Sequence, residues 1–398
     1  MTRFARTREQ EQRATTLELF YDLVFVFAIT QISHLLLEHL SWDGVGQSVV
    51  VLLAVWWSWN YTTWVTNELD PESIVVRVLL IALMLATLLM AIAIPEAFGD
   101  QALLFAGAYV AIQVGRHLFL TFVAGEPGTI ERERAGQILV WFVAAGALWI
   151  AGALADGTAR TLLWIGALAI DYGAPLVTYW VPRRTRLGGE TWDVQVSHFA
   201  ERFQLFVIIA LGESIVITGA TTSQLELDAG RLAAFAVAFL GSAALWWLYF
   251  NYVARIAERR LELAANRTVL ARDAYTYLHV VLVAGVIVTA VGDELVIAHP
   301  TEVLPGREVA AVVAGPAIYL LAHALFRWRM AGSISWKRLG GALACVAAGA
   351  VGLVAPALVL ATLVTAILIA VIAAEQVAGV RRRARGEPSP MEALEARG

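Results

Sequence analysis

An all-α, polytopic integral membrane protein is the fold class that three observations predict. The first is composition: of 398 residues, 59% are hydrophobic and 16% charged, with a mean hydropathy of +0.68, against about 25% charged in a soluble domain. The second is that apolar runs of bilayer-crossing length recur from end to end, a helical span needing about 20 such residues. The third is that Lys and Arg gather in alternate connections, the pattern that orients a membrane chain. Within hydrocarbon every backbone polar group must be paired inside the protein, which leaves helices or a closed barrel. A barrel shows segments of about ten residues with alternating polarity. These runs are continuous, so each span is expected to be a helix.

About twelve spans are predicted, near residues 16–39, 45–65, 73–95, 101–124, 135–155, 160–181, 197–220, 230–254, 273–298, 308–327, 335–354 and 356–378. Breakers separate them at Asp70-Pro71, Gly125 to Gly128, Val181-Pro182, His299-Pro300 and Ala355-Pro356. The first run follows Arg3, Arg6, Arg8 and Arg13 but holds Glu18 and Asp22 and lacks a small-residue cleavage site. It is therefore expected to remain as a span and not to leave as a signal peptide. The resulting order is an N-terminal cytoplasmic segment (1–15), a first six-helix repeat (16–181), a cytoplasmic linker (182–196), a second six-helix repeat (197–378) and a basic, disordered cytoplasmic tail (379–398).

Orientation follows from the basic residues. Of the 29 Lys and Arg, 23 fall on the side of the N-terminus, 3 on the opposite side and 3 within spans. Cytoplasmic connections carry the excess of positive charge, so both termini are expected in the cytoplasm. A membrane bordering the cytoplasm is the expected location.

Two segments resemble each other at a separation of 183 residues: TTLELFYDLVFVFAITQIS (15–33) and SHFAERFQLFVIIALGESIVITG (197–219). Glu18 aligns with Glu201 and Phe20 with Phe203. WWSWNY (56–61) answers WWLYFNY (246–252), Glu96 answers Glu294, and His117 answers His323, the offsets rising through 190 and 198 to 206. Six spans are an even number, so the two halves would share one orientation, as in transporters built from parallel repeats.

Charge inside these spans points to function. An ionisable side chain at the bilayer centre costs at least about 2.5–3.5 kcal/mol, and such residues face the bundle interior and mark ion, proton or substrate routes. Glu18 and Asp22 are four apart on one face of span 1. His198, Glu201 and Arg202 lie at the matching depth of span 7, and Glu213 lies deeper in that span. These six are the candidates for a transport or relay site. Arg77, Arg116, His117 and His323 reach the same layer and are candidate charge partners, with Asn60, Asn251 and His279 nearby. A plainer reading stands beside this one: inter-helix clamps and long side chains that snorkel to the interface. The Trp-rich stretches of spans 2 and 8 read as packing and interface belt. Arg202 is expected to pair with Glu18 or Asp22, because Glu201 precedes it directly and points to another face.

Other chemistry is excluded or poorly supported. The single Cys345 sits in an Ala/Gly/Val run, which rules out a disulfide framework and a cysteine metal site. His34 and Glu38 lack a third ligand for zinc. No H-E-x-x-H, P-loop or G-x-S-x-G occurs, so neither an enzyme nor a cofactor is expected. A net charge of −4 with no basic domain excludes nucleic acid. The partners left are the bilayer, an ion or small solute, and a second copy of the chain.

LELFYDLVFVFA (17–28) together with HFAERFQLFVIIALGESIV (198–216) resembles the bacterial low temperature requirement A family of multispan membrane proteins, over most of the chain. The resemblance implies an integral membrane protein whose family is named for a growth phenotype in the cold. It implies no particular substrate. FYDLVFVFAIT (20–30) is also similar to the F-S-D segment of a potassium channel family with two repeats of six spans, which line their pore with the first helix of each repeat. Tyr21 stands in place of the serine, and the second half has Phe203-Gln204-Leu205 with no aspartate. The combined reading is a transporter or channel for an ion, proton or small polar solute. Its alternatives are a non-transporting scaffold or sensor, and an intramembrane lipid-modifying enzyme.

Overall fold

The computed structural model describes residues 4–5, 13–192, 194–251 and 253–395. Arg3, Arg6, Arg8 and Tyr252 lie outside the described residues. Among those described, helix is the only extended element, and nine helices are long and apolar enough to cross a membrane. The chain is thus an all-α polytopic membrane protein. Phe20, Leu23, Val78, Leu85, Phe122 and Leu154 stand exposed on outer helix faces. Apolar surface so widespread suits lipid and not water.

The helices form two compact units, residues 1–202 and 203–398. In the first, α1 (Thr16–Glu38), α2 (Trp42–Glu68), α3 (Ile74–Ile92), α4 (Ala102–Phe119), α5 (Ile130–Leu154) and α6 (Gly157–Gly173) are joined by the opening turns of α7 (Val196–Gln224). Helix α1 packs on α2 and α3, and α3 on α4. From there α4 packs on α5, α5 on α6, and α6 returns to α2, which closes a ring. Polar caps begin these helices as helix chemistry requires: the side chains of Ser41 and Thr129 accept from the backbone N–H groups of Gly44 and Arg132. Each of the first six predicted spans has its helix, but α6 is only 17 residues long and α2 is polar inside. Neither is among the nine.

The second unit holds α8 (Ala229–Phe250), α9 (Val253–Glu262), α10 (Arg267–Leu270), α11 (His279–Ala298), α12 (Gly306–Ala331), α13 (Trp336–Gly352), α14 (Ala357–Ala384) and α15 (Pro390–Glu395). A wide π turn over Ala271–Leu278 leads into α11. Glycines bring α11 and α12 together backbone to backbone: a Cβ on Gly285 would lie 2.8 Å from the Tyr319 nitrogen, and one on Gly292 would lie 2.9 Å from the Val312 Cα. Small residues at such crossings are the usual membrane solution, since lipid offers no hydrophobic drive to pack helices. The 17-residue α13 is the third predicted span outside the nine.

Two expectations differ from the structure. The basic stretch after span 8 contains a helix, α9, which buries Ala254, Ala257 and Leu261, exposes Arg255 and turns Arg260 to donate to the Met330 carbonyl at 2.9 Å. The tail is not uniformly irregular either: α14 continues through Arg381, Arg382 and Arg383, and α15 forms beyond it. Basic residues in the last turn of α14 complement the helix dipole, which favours extending the helix into the polar tail.

Candidate functional site

Thr15 and Glu18 set the first element of the site. Thr15 caps α1 by accepting from the Glu18 N–H, and Glu18 reaches back to accept from the Thr15 N–H at 2.9 Å, a reciprocal capping box. The same carboxylate oxygen, Oε2, accepts from Thr15 Oγ1 at 2.9 Å. This box holds the other oxygen, Oε1, toward α7. There it accepts from His198 Nε2 at 2.9 Å and lies 3.0 Å from Arg202 Nη1.

One turn further along α1, Asp22 Oδ1 accepts from Arg202 Nη2 at 2.6 Å and from Trp59 Nε1 of α2 at 2.8 Å. Its Oδ2 has no partner among the described residues. Glu18, Asp22, His198 and Arg202 are all fully buried. One guanidinium therefore grips two carboxylates, with Glu18 and Asp22 on one face of α1 as their spacing requires. Charge-assisted bonds of this kind are the strong ones.

The protonation form of His198 follows from its neighbours. Asn67 pairs with the backbone of Gln195: its Nδ2 donates to the Gln195 carbonyl at 3.0 Å and its Oδ1 accepts from the Gln195 N–H at 2.9 Å. That pairing fixes which end of the amide is the donor. Asn67 Nδ2 also lies 3.0 Å from His198 Nδ1, so Nδ1 must accept and the ring proton sits on Nε2, aimed at Glu18. His198 is held as the neutral imidazole. Two carboxylates, one guanidinium and one imidazole thus meet in a single network away from solvent.

The remaining candidates sit elsewhere. Glu201 is half-buried, and its Oε2 accepts from the Ala14 N–H at 2.7 Å, which ties the entry of α1 to α7. It does not join Arg202 or Asp22, because adjacent helix positions point about 100° apart. Arg77 is excluded as a partner of the acids. It is 46% exposed on its side chain and bonds Glu72 at 2.5 Å. Arg116 and His117 are buried in the first unit on α4, yet they form a patch of their own. Glu213 is buried in the second unit.

His323 also lies in the second unit, its ring 4.7 Å from that of Tyr319 and 5.8 Å from that of Tyr249. Nearby His279 accepts from the Tyr249 hydroxyl at 2.9 Å and donates from Nδ1 to the Ala274 carbonyl at 3.1 Å, a carbonyl of the π turn. Within the first unit, the charged layer expected from the sequence is therefore not one assembly. Burial forces each charge to take its nearest partner, and the long reach of Arg77 lets it leave for the surface.

Several contributors escaped the sequence reading: Trp59, Thr66, Asn67 and Gln195 around the acids, and Thr62 and Gln113 around Arg116. Ser58, Thr62 and Thr66 recur at four-residue spacing in α2, a polar stripe that marks its inward face. Trp56, Trp57 and Trp59 are buried packing residues, not interface belt. Trp246 and Trp247 are exposed, 46% and 45%, as a belt requires. Asp171 is also buried inside the first unit, where Oδ2 accepts from the Tyr109 hydroxyl at 2.7 Å and Trp149 Nε1 at 3.2 Å, while Oδ1 has no partner among the described residues.

The paired acids at the start of α1 and the His-Arg pair at the start of α7 both lie inside the region that matches a family model. The family model for the bacterial low temperature requirement A protein (LtrA) matches residues 13–373. The chain belongs to the LtrA family. It is similar to an uncharacterized protein of Rhizobium meliloti (strain 1021), with 39% identity over 323 residues that cover 80% of this chain and 78% of the relative. No solved structure matches it. The LtrA match spans both compact units and includes every residue of the acid cluster.

Proposed function

We propose that this LtrA protein is a transport protein of the bacterial cytoplasmic membrane, a carrier or a channel for an ion, a proton or a small polar solute. Glu18, Asp22, His198 and Arg202 are its working centre. The observation that carries the reading is the cluster itself: four ionisable side chains without solvent exposure, joined in one hydrogen-bonded network inside a membrane helix bundle. A clamp alone needs one acid for one arginine, and burying a second carboxylate only adds desolvation cost. A second carboxylate on the same arginine, with Asp22 Oδ2 unused among the described residues, suits a proton or a monovalent cation as the coupling species.

The arrangement in the membrane belongs to the same proposal: about twelve spans in two parallel six-helix repeats, with both termini cytoplasmic. Support comes from the 23-to-3 distribution of basic residues and from a shared neighbour order. In the second unit α11, α12, α13, α14 and α8 pack in the same succession as α3, α4, α5, α6 and α2 in the first. On this orientation the acid cluster lies at the cytoplasmic end of α1.

Flux through purified protein in liposomes tests the function, with potassium, sodium and pH gradients applied in turn. Wild-type protein is expected to dissipate at least one of them. Glu18→Gln and Asp22→Asn should slow it at least tenfold while the folded yield holds. Glu201→Gln should leave flux near wild type, since an amide oxygen still accepts from Ala14. An absence of flux in every gradient, or equal sensitivity of Glu201 and Glu18, would favour a scaffold held by clamps.

A further inference from the structure

Arg116 is buried as completely as Arg202, yet no carboxylate answers it. Its Nη1 donates to the Ser58 carbonyl at 3.2 Å and to Thr62 Oγ1 at 2.9 Å, and its Nη2 donates to Gln113 Oε1. The rings of Tyr61 and Phe142 lie 5.4 and 5.9 Å from the guanidinium carbon. Aromatic faces attract a cation, but they do not neutralise it. The buried acids of this unit are committed elsewhere, Asp22 to Arg202 and Trp59, and Asp171 to Tyr109 and Trp149.

What is left over around Arg116 has one character. Arg116 Nε finds no acceptor among the described residues, and neither does Gln113 Nε2, three positions earlier on the same face of α4. Thr62 Oγ1 is already an acceptor for Tyr21 and Arg116 and a donor to the Ser58 carbonyl. The patch therefore combines a fixed positive charge with two unused N–H donors. A buried donor without an acceptor costs about 1–3 kcal/mol, and more when it is charged.

We infer that Arg116 and Gln113 form a binding site for a small monovalent anion, of halide size, inside the first helical unit. A halide accepts from Arg116 Nε and Gln113 Nε2 together and offsets the charge that Ser58, Thr62 and the two rings leave uncompensated. A compact, singly charged acceptor fits this setting better than phosphate or sulfate, whose additional charge one guanidinium would leave bare. The site is distinct from the acid cluster and does not depend on transport: the anion is equally a bound structural ion or a cargo.

The test uses the full chain, purified in detergent in sodium gluconate at constant ionic strength, with chloride or bromide replacing gluconate. Sodium stays constant, so any cation effect at the acid cluster is silent. The thermal midpoint of wild-type protein should rise saturably with either halide. Gln113→Glu, which keeps an acceptor for Arg116 Nη2, removes the second donor and puts a carboxylate beside the cation, should abolish the response or raise the half-saturating concentration at least about tenfold. Arg116→Gln should abolish the response; if that variant does not fold, Gln113→Glu and Arg116→Lys carry the comparison. A wild-type protein indifferent to halide would overturn the inference, and so would a Gln113→Glu variant with unchanged half-saturation. Failure of the liposome flux with the halide response intact would sink the transport proposal and leave this site standing.

Discussion

Removing Arg202 should reveal how unequally its two acids depend on it. In Arg202→Leu both carboxylates lose a buried counter-charge, and breaking such a pair costs about 3–5 kcal/mol. Glu18 keeps three donors afterwards, the Thr15 N–H, Thr15 Oγ1 and His198 Nε2, each at 2.9 Å. Asp22 keeps only Trp59 Nε1 at 2.8 Å. Most of the penalty should therefore fall on Asp22. Adding Asp22→Asn to Arg202→Leu should recover about 2 kcal/mol, because the remaining neutral amide no longer needs a cation. Adding Glu18→Gln should recover less than about 1 kcal/mol, since the capping box loses a charged acceptor as fast as the bundle loses an unpaired charge. The assay is unfolding in mixed micelles with increasing dodecyl sulfate, followed by helical circular dichroism and read as two double-mutant cycles. Neighbours sharing a network are expected to couple by about 0.5–3 kcal/mol. If Glu18 couples to Arg202 as strongly as Asp22 does, or if neither couples, the division of roles between the two acids is wrong.

Two further predictions rest on different parts of the molecule. Reporter fusions after Val380 and within residues 183–190 should report the cytoplasm, and fusions at 99–101 and 223–228 the exterior; an external C-terminus would overturn both the span number and the parallel repeat. Gly285→Ala should destabilise the protein by about 1–3 kcal/mol through forced separation of α11 and α12. Gly107→Ala on α4, where a Cβ meets nothing within 4 Å, should be neutral or stabilising by up to about 1 kcal/mol in the same unfolding assay.

Most of the fold was legible because the bilayer simplifies it. Apolar runs gave each span its helix, and Pro and Gly pairs ended them near the observed boundaries. Helices α6 and α13 are short, at 17 residues each, and α2 carries Ser58, Thr62 and Thr66 on its inward face, so length and apolarity alone single out the other nine among the described residues. The acids and Arg202 were legible from the cost of charge in a span. Their partners were not, because Asn67 and Trp59 are ordinary residues until α2 places them beside α1 and α7. Glu18 and Glu201 looked equivalent by alignment. Only the helix rotation shows that one faces the cluster and the other the chain entry.

The two halves also divide buried polarity in a way that bears on function. On the proposed repeat, the counterpart of Asp22 at an offset of 183 is Leu205, and that of Arg116 at an offset of 206 is Ala322. The second unit retains the histidine, His323, but surrounds it with Tyr249 and Tyr319. Its buried arginine, Arg338, pairs with Glu375 through two bonds at 2.8 and 3.0 Å. That is one acid for one arginine, the arrangement of a clamp. The first unit departs from this pattern twice: Arg202 holds two carboxylates, and Arg116 meets none among the described residues. Uncompensated charge is the costly part of a membrane interior, and it persists where a ligand or a moving ion completes it. Both departures lie between residues 18 and 202. The second unit also buries Glu213, and Asp293 Oδ2 there finds no donor among the described residues. On the proposed function, substitutions that alter activity without unfolding the protein should be most frequent around Arg202 and Arg116, where the first unit concentrates its buried charge.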